Sequence, residues 1–524
     1  MRNSAQRVET RTHSRNHTVA SDQIPQQSVT DQESSKSEAE APGMESARPK
    51  KPLFGMAFWM ERVLEGVEGA GQDLTADQVH DLRVALRRCR SMAEGFMAID
   101  PDGAWKALQK ESRQLFRRLG RLRDVQVLEG WIGRLGNPED RLTIAMRLHL
   151  GQQEEEVRRG ALAALKVFDS EKWRGWIGRL QARARRLPEG GVVFQLSALQ
   201  AWNEAHELHK RALRDRSAAG YHRLRIGIKR FRYIVENFLP LLHARWGQDL
   251  KEIQDSLGEV HDLSVFWETA LRLSSFGDAE SKERWRALVA EQTAIRLDKY
   301  RGKMVGSHSL WNNWRQELPA ENRLPAMGLK QLEKWAWFHG IDLDRARAVR
   351  RLALQLLGGL RAGKRADIKS RRAILHFAAI LHELGNAKRK KGGRRPAARL
   401  LLELPPTPGF TADERQCAAI VILGHRGKFR GFEGEEYAVL PEAQRQLAIE
   451  LCGILRLARV LALNSDPEIR SLEVEMDEKS IVILSPGYSE FGPLAEKAAR
   501  ARYLLERALQ KPILIRNASA DEPG

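Results

Sequence analysis

The segment His80–Arg90, HDLRVALRRCR, occurs a second time as His222–Arg232, HRLRIGIKRFR, and this repetition constrains the fold more than any other feature. In both copies a His is followed by basic residues at offsets +3, +7, +8 and +10: Arg83, Arg87, Arg88 and Arg90, then Arg225, Lys229, Arg230 and Arg232. Apolar residues occupy +2, +6 and +9: Leu82, Leu86 and Cys89, then Leu224, Ile228 and Phe231. On a helix turning about 100° per residue, offsets 0, +3, +7 and +10 fall within roughly 80° of arc, and the apolar offsets gather on the far side. Each copy therefore predicts a helix with an apolar back and a cationic front carrying one imidazole. Most charge runs are merely solvated faces. A face stabilised by its own charges alternates sign at i,i+4, however, and no acid interrupts either front. Repulsion among like charges costs stability, and the chain carries that cost twice. The pattern points to a surface that holds a polyanion.

A second shared segment follows each copy: Leu119-Gly-Arg-Leu-Arg-Asp-Val-Gln-Val-Leu128 and Leu257-Gly-Glu-Val-His-Asp-Leu-Ser-Val-Phe266. Matched segments in one order predict an internal duplication, with repeats over about 51–197 and 198–315. Each repeat reads as an antiparallel helical bundle with one basic seam. Asp124 and Asp262 keep their place in the second segment. Among so many cations, they are expected to fix a basic side chain in its rotamer, although plain surface acids would fit the pattern equally well.

Bulk properties agree with an anionic partner. Lys and Arg number 87 against 68 Asp and Glu, a formal charge of +19. That excess suits nucleic acid, inorganic polyphosphate or an anionic membrane surface. Cys89, Cys417 and Cys452 are too far apart for a disulfide framework or a zinc site and read as core residues in a reducing compartment. No run of apolar residues is long enough to span a bilayer. The first residues lack the apolar core of a secretory signal. Residues 1–50, rich in Ser, Gln, Glu, Thr and Asn, are expected to form a disordered tail. Val192–Leu196 is ambiguous between strand and helix.

The paired H-x-x-R-x-x-x-[RK]-R-x-R helices and the LG-x-x-x-D segments resemble the conserved histidine α-helical domain (CHAD). The resemblance covers about 51–315. It implies two helical bundles about a pseudo-two-fold, a basic central channel, and binding of inorganic polyphosphate. Carried over by position, His80, Arg83, Arg87, Arg88, Arg90, Arg123, His222, Arg225, Lys229, Arg230 and Arg232 would contact the anion, supported by Asp124 and Asp262. The second copy has His261 where the first has Arg123. A phosphate chain has no bases to read, so its affinity must come from Arg forks and Lys point charges.

After a connector at 316–340, the pattern becomes that of a second, mostly helical domain over 341–515, followed by a tail at 516–524. Helices are expected at 345–361, 368–385, 396–404, 411–425 and 442–464. A β-hairpin then flanks Asp477-Glu-Lys, and a last helix spans 493–510. The order of Leu381-His-Glu-Leu-Gly385, Gly424-His-Arg-Gly-Lys-Phe429 and Ile454-Leu-Arg-Leu-Ala458 resembles the C-terminal HD-like domain of the exopolyphosphatase/guanosine pentaphosphatase family. An active HD phosphohydrolase needs His and Asp ligands around a metal that activates water. By that resemblance Arg345 stands at the first His, His382-Glu383 at the His-Asp pair, and Arg459 at the distant Asp. Guanidinia repel a divalent cation, so His382 is expected to be a buried His bonded to its own helix. No metal, cofactor or catalytic residue is assigned. Lys388, Arg389, Lys390, Lys391, Arg394 and Arg395, with His425, Arg426 and Lys428, would add secondary anion contacts.

The overall expectation is a mainly α, two-domain, non-catalytic polyphosphate-binding protein. The resemblance implies a cytoplasmic location at polyphosphate granules and polyphosphate-metabolising proteins as partners. A phosphohydrolase acting through the HD-like domain is the enzyme rival. Non-specific nucleic-acid binding is the other rival, although the chain carries no helix-turn-helix, RNP-type or zinc-finger sequence.

Overall fold

The computed structural model describes residues 55–70, 74–360, 365–384, 394–404, 406–427, 441–463 and 469–518. The first helices are α1 (Met56–Glu68), α2 (Ala76–Met97), α3 (Gly103–Leu135), α4 (Arg141–Lys166) and α5 (Ser170–Ala184). Five more follow: α6 (Val192–Asp215), α7 (Ala218–Phe238), α8 (Pro240–Leu273), α9 (Ala279–Met304) and α10 (Leu310–Glu317). Five of the ten, α2, α3, α5, α7 and α9, start on side chains that satisfy the free N–H groups of a first turn. Thr75 and Gln78 form a reciprocal capping box on α2. Asp102 caps α3, and Ser217 caps α7.

The two sets of five repeat one packing scheme. Within each, the first helix packs on the second and the fifth, the second on the third, and the third on the fourth. Between the sets, α2 packs on α7 and α3 on α8. Equivalent elements meeting one another is what a two-fold relation produces, so the duplication is structural as well as sequential. The ambiguous Val192–Leu196 run is the first turn of α6, because its apolar residues Val193, Phe194 and Leu196 are buried. The division between the sets therefore falls between α5 and α6, not at 197.

The connector contains α11 (Leu324–Phe338), which packs on α6 and buries Trp335 and Phe338. Then come α12 (Leu343–Gly359), α13 (Arg365–Leu381), α14 (Arg394–Glu403), α15 (Ala412–Gly424), α16 (Glu442–Leu463) and α17 (Pro493–Leu509). The expected hairpin is present as β1 (Glu473–Met476) antiparallel to β2 (Ile481–Ser485). A third strand, β3 (Ile513–Asn517), lies parallel to β2 beyond α17. It replaces the expected tail from 516: the alternation in ILIRN is short, and only the open edge of β2 makes it a strand. One continuous apolar core runs from Met56 on α1 to Ile515 on β3. A smaller core, with Trp131, Met146, Phe266 and Trp285, closes the far ends of α3, α4, α8 and α9. No described helix is long and apolar enough to cross a membrane. All three cysteines are buried free thiols.

Candidate functional site

The apolar backs of α2 and α7 are buried as their periodicity demands: Leu82, Leu86 and Cys89, and Leu224, Ile228 and Phe231. Their fronts share one electrostatic field. Lys229 on α7 has its pKa lowered to about 8, by burial first, then by Arg225 and by Arg87, Arg83 and Arg90 of α2. Arg83 is lowered by burial and by Arg87 and Arg123, against the pull of Asp124. Asp124 on α3 is exposed to solvent, yet surrounding protein raises its carboxyl above the usual range despite Arg83, Arg225 and Lys229. Asp262 on α8 is raised to about 6 by burial, with Asp124 and Glu259 adding to the rise and Arg225 opposing it. The seam thus draws residues from α2, α3, α7 and α8.

Aromatic rings hold several of these cations in place. Arg83 and Arg90 lie over Phe116, at 4.7 and 4.8 Å from the ring centre. Arg87 and Lys229 lie over Tyr233, at 5.3 and 5.9 Å. Arg83 Nη1 also donates to the Phe116 carbonyl at 3.3 Å. The glycine of the second repeated segment has a physical reason here. A Cβ on Gly120 would sit 2.8 Å from Arg83 Nη1, so the missing side chain lets the guanidinium cross α3. The Nε atoms of Arg87 and Arg90 and the Tyr233 hydroxyl are buried without a hydrogen-bond partner. At one end the seam opens into a cavity of about 590 Å³, where Arg90, Lys229, Arg230 and Tyr233 face Phe194, Phe238, Trp335 and Pro408.

Not every expected site residue faces this seam. Arg88 is buried: it ion-pairs with Glu236, donates to Asn237 Oδ1 at 2.8 Å and lies over Trp59. Offset +8 falls outside the front arc, and here it joins the two halves internally. Arg230, its counterpart, is half-exposed and paired with Glu204 at 2.7 Å. Arg232 lies 3.5 Å from Glu236. His80 is exposed, whereas His222 sits against His261, with 3.3 Å between their Nδ1 atoms. Burial, then Arg225, lowers His261 to about 4. Neither Asp124 nor Asp262 closes an ion pair with a described cation, so the expected clamping role becomes a field effect. Phe116 and Tyr233 are the residues sequence reasoning missed. Tyr233 follows Lys229 at helical spacing and Phe116 precedes Gly120 by one turn, but isolated aromatics look like core.

In the C-terminal part, Arg345 of α12, His382 and Glu383 after α13, His425 and Arg426 after α15, and Arg459 of α16 converge. Arg345 Nε lies 3.8 Å from Glu383 Oε1, and His382 Nε2 lies 3.7 Å from the same oxygen. The two imidazoles meet edge-on with ring centres 5.6 Å apart. His382 Nδ1 donates to the Ala379 carbonyl at 2.8 Å, as expected for a His bonded to its own helix. That accounts for only half the ring, because Nε2 of His382 and of His425 are both buried without a hydrogen-bond partner. Among the described residues no group of three or more His, Cys, Asp and Glu could hold a metal. The donor set does not fit the HD metal: guanidinia occupy the places a cation would need. Lys388, Arg389, Lys390, Lys391 and Lys428 lie outside the described residues, as do the side chains of Arg394 and Arg395.

Comparison with known proteins separates the same two parts. Residues 60–271 match the CHAD domain, and residues 330–485 match the Ppx/GppA phosphatase, domain III. The two matches follow one another along the chain, one over each helical part. Two curated relatives are named guanosine-5'-triphosphate,3'-diphosphate pyrophosphatase. The one from Aeromonas hydrophila subsp. hydrophila is 27% identical over 171 residues, or 32% of this chain and 33% of the relative. The one from Aeromonas salmonicida is 24% identical over 147 residues, or 28% and 29%. The chain thus spans about a third of the length of these relatives. The crystal structure of the CHAD domain from the plant Ricinus communis aligns at a TM-score of 0.36 with 26% identity, over 47% of this chain and 88% of that one. Both matched domains fit a polyphosphate-related function.

Proposed function

We propose that this chain binds inorganic polyphosphate in the seam between its two halves and does not hydrolyse it. The observation that carries the reading is the placing of Lys229, from the second half, in the field of Arg83, Arg87 and Arg90 from the first. Cations converging from two helices at such cost need a polyanion to offset them, and the ligand then stabilises the fold by mass action. Arg83, Arg87, Arg90, Arg123, Arg225 and Lys229 supply forks and a point charge at intervals along a channel. A repeating phosphate chain can use these without base readout. Arg88 and Arg230 are left out of the binding set.

A titration with polyphosphate of defined length, repeated at several salt concentrations, tests this. One long chain per molecule is expected, with affinity falling steeply as salt rises. Each charge-assisted contact contributes about 1.5–3 kcal/mol, so Arg83→Ala with Lys229→Ala should weaken binding by at least about 100-fold while helicity is kept. Unchanged affinity in that folded variant would remove the seam from the site. Metal-dependent phosphate release by the full chain would overturn the non-catalytic reading.

The names of the two curated relatives favour a second ligand for the same test, a guanosine polyphosphate. Its prevailing over long-chain polyphosphate at fixed salt would replace the first reading.

A further inference from the structure

His382 and His425 are each only 1% exposed, and they bring two unmet acceptors to one place. A backbone carbonyl can only accept, so the bonds to the Ala379 and Ile422 carbonyls put the ring proton on Nδ1 in both residues. Burial, with Arg459 and Arg426 nearby, holds both imidazoles well below their ordinary pKa, His382 at about 4. At neutral pH each Nε2 therefore presents a lone pair. Around them stand three guanidinia, Arg345, Arg426 and Arg459, and one carboxylate, Glu383. The Arg459 Nε is also buried without a partner. Buried polar groups left unmet in this way call for a ligand.

The chemistry of that ligand follows from the mixture. Guanidinia need an anion with several acceptor oxygens. Neutral imidazole nitrogens need a donor. A fully ionised anion such as sulfate offers only acceptors, and an internal phosphate of a chain likewise has no hydroxyl. A divalent cation would satisfy the imidazoles but would be repelled by the guanidinia. A phosphate that keeps a P–OH proton near neutral pH satisfies both, its hydroxyl donating to Nε2 and its other oxygens accepting from the arginines. Orthophosphate still carries a P–OH after its second ionisation, whereas the terminal phosphate of a chain, with its second ionisation at about pH 6, carries one only in its protonated fraction, which the neutral imidazoles would select.

We propose that His382, His425, Arg345, Arg426 and Arg459 form a metal-independent site for a protonated terminal phosphate, either free orthophosphate or the end of a phosphate chain. Where an HD domain would hold a metal, arginines here hold the anion directly. The site is separate from the seam, and its occupancy does not depend on the seam's.

The test uses the full chain labelled with ¹⁵N in histidine, reading the ring nitrogens of His382 and His425 by NMR. Their signals are assigned with His382→Gln and His425→Gln. Orthophosphate should shift both Nε2 signals saturably, and sulfate should bind at least ten-fold more weakly. Short linear polyphosphate should compete, whereas cyclic trimetaphosphate, which has no chain end, should not. Orthophosphate acting alone would assign the site to the free ion, and competition by the linear chain would assign it to chain ends as well. Arg345→Ala, on a half-exposed side chain and so tolerated by the fold, should weaken the response at least ten-fold. Lys229→Ala in the seam should leave it unchanged, so failure of the seam reading and failure of this one stay distinguishable. Equal responses to sulfate and phosphate, saturation by zinc with none by phosphate, or no saturable response in the folded chain would each overturn the proposal.

Discussion

The two basic helices carry the same pattern, and the structure uses them differently. On α2, Arg83 is threaded over Gly120 and laid on Phe116. On α7, Arg225 has no such arrangement: the matching Gly258 has open space around it, and Gln254 stands where Phe116 would. The aromatic support of α7 comes instead from its own Tyr233, whose counterpart on α2 is Ser91. At offset +8, Arg88 is buried in an ion pair, while Arg230 meets Glu204 at the surface. Offset +7 is Arg87 on one side and Lys229 on the other, so only one of the pair can titrate. A duplicated motif thus preserves where charge is presented, and the means of holding each charge diverges with its neighbours.

Offset +8 should give the largest difference between the copies. Removing one member of a buried ion pair leaves the other charge stranded, which typically costs about 3–5 kcal/mol. Arg88→Ala should therefore lower the denaturant midpoint strongly, since Glu236 would lose its partner across the two halves and keep only the longer contact with Arg232. Arg230→Ala, at the surface, should change stability by no more than about 0.5 kcal/mol. Equal effects in chemical unfolding would break the distinction.

Offset +7 should differ in its response to pH. Burial lowers Lys229 in the folded chain to about 8, from its ordinary value of 10.5. Between those values the folded state binds fewer protons than the unfolded chain, so this group's effect on stability improves as pH rises through the window. Below about 8 the ammonium is charged in both states and its unfavourable burial is felt in full. A bound polyanion favours the ammonium, so binding should take up a proton above pH 8, and affinity should fall as pH rises. Calorimetry in buffers of different ionisation enthalpy measures that uptake. Lys229→Arg should abolish it while keeping affinity at pH 7, and uptake that survives in this variant would assign it to another group.

The smallest contrast lies in the glycines. Gly258→Ala should be neutral or stabilise by about 0.5–1 kcal/mol, as expected inside a helix with free space. Gly120→Ala gains the same helix preference but displaces Arg83, so stability should change little while polyphosphate affinity drops several-fold. Identical binding by the two variants would mean that the Arg83 position over α3 does not matter.

Which residues share a helix face was legible in the spacing of the chain. The spacing of Leu82, Leu86 and Cys89 against Arg83, Arg87 and Arg90 is local geometry, fixed by the helical turn, and so was the order of elements in the C-terminal part. The matched segments also implied the duplication, which the paired packing of α2 on α7 and α3 on α8 bears out. Tertiary structure alone decided what each face meets. Glu236 lies far along the chain from Arg88, and β3 became a strand only because β2 leaves an open edge. The free Nε2 atoms of His382 and His425 were equally hidden, because each histidine is satisfied within its own turn and only the meeting of α13, α15 and α16 exposes the unmet half. A side chain's partner depends on which distant elements pack beside it, and that is set by burial of the whole core, which no local spacing records.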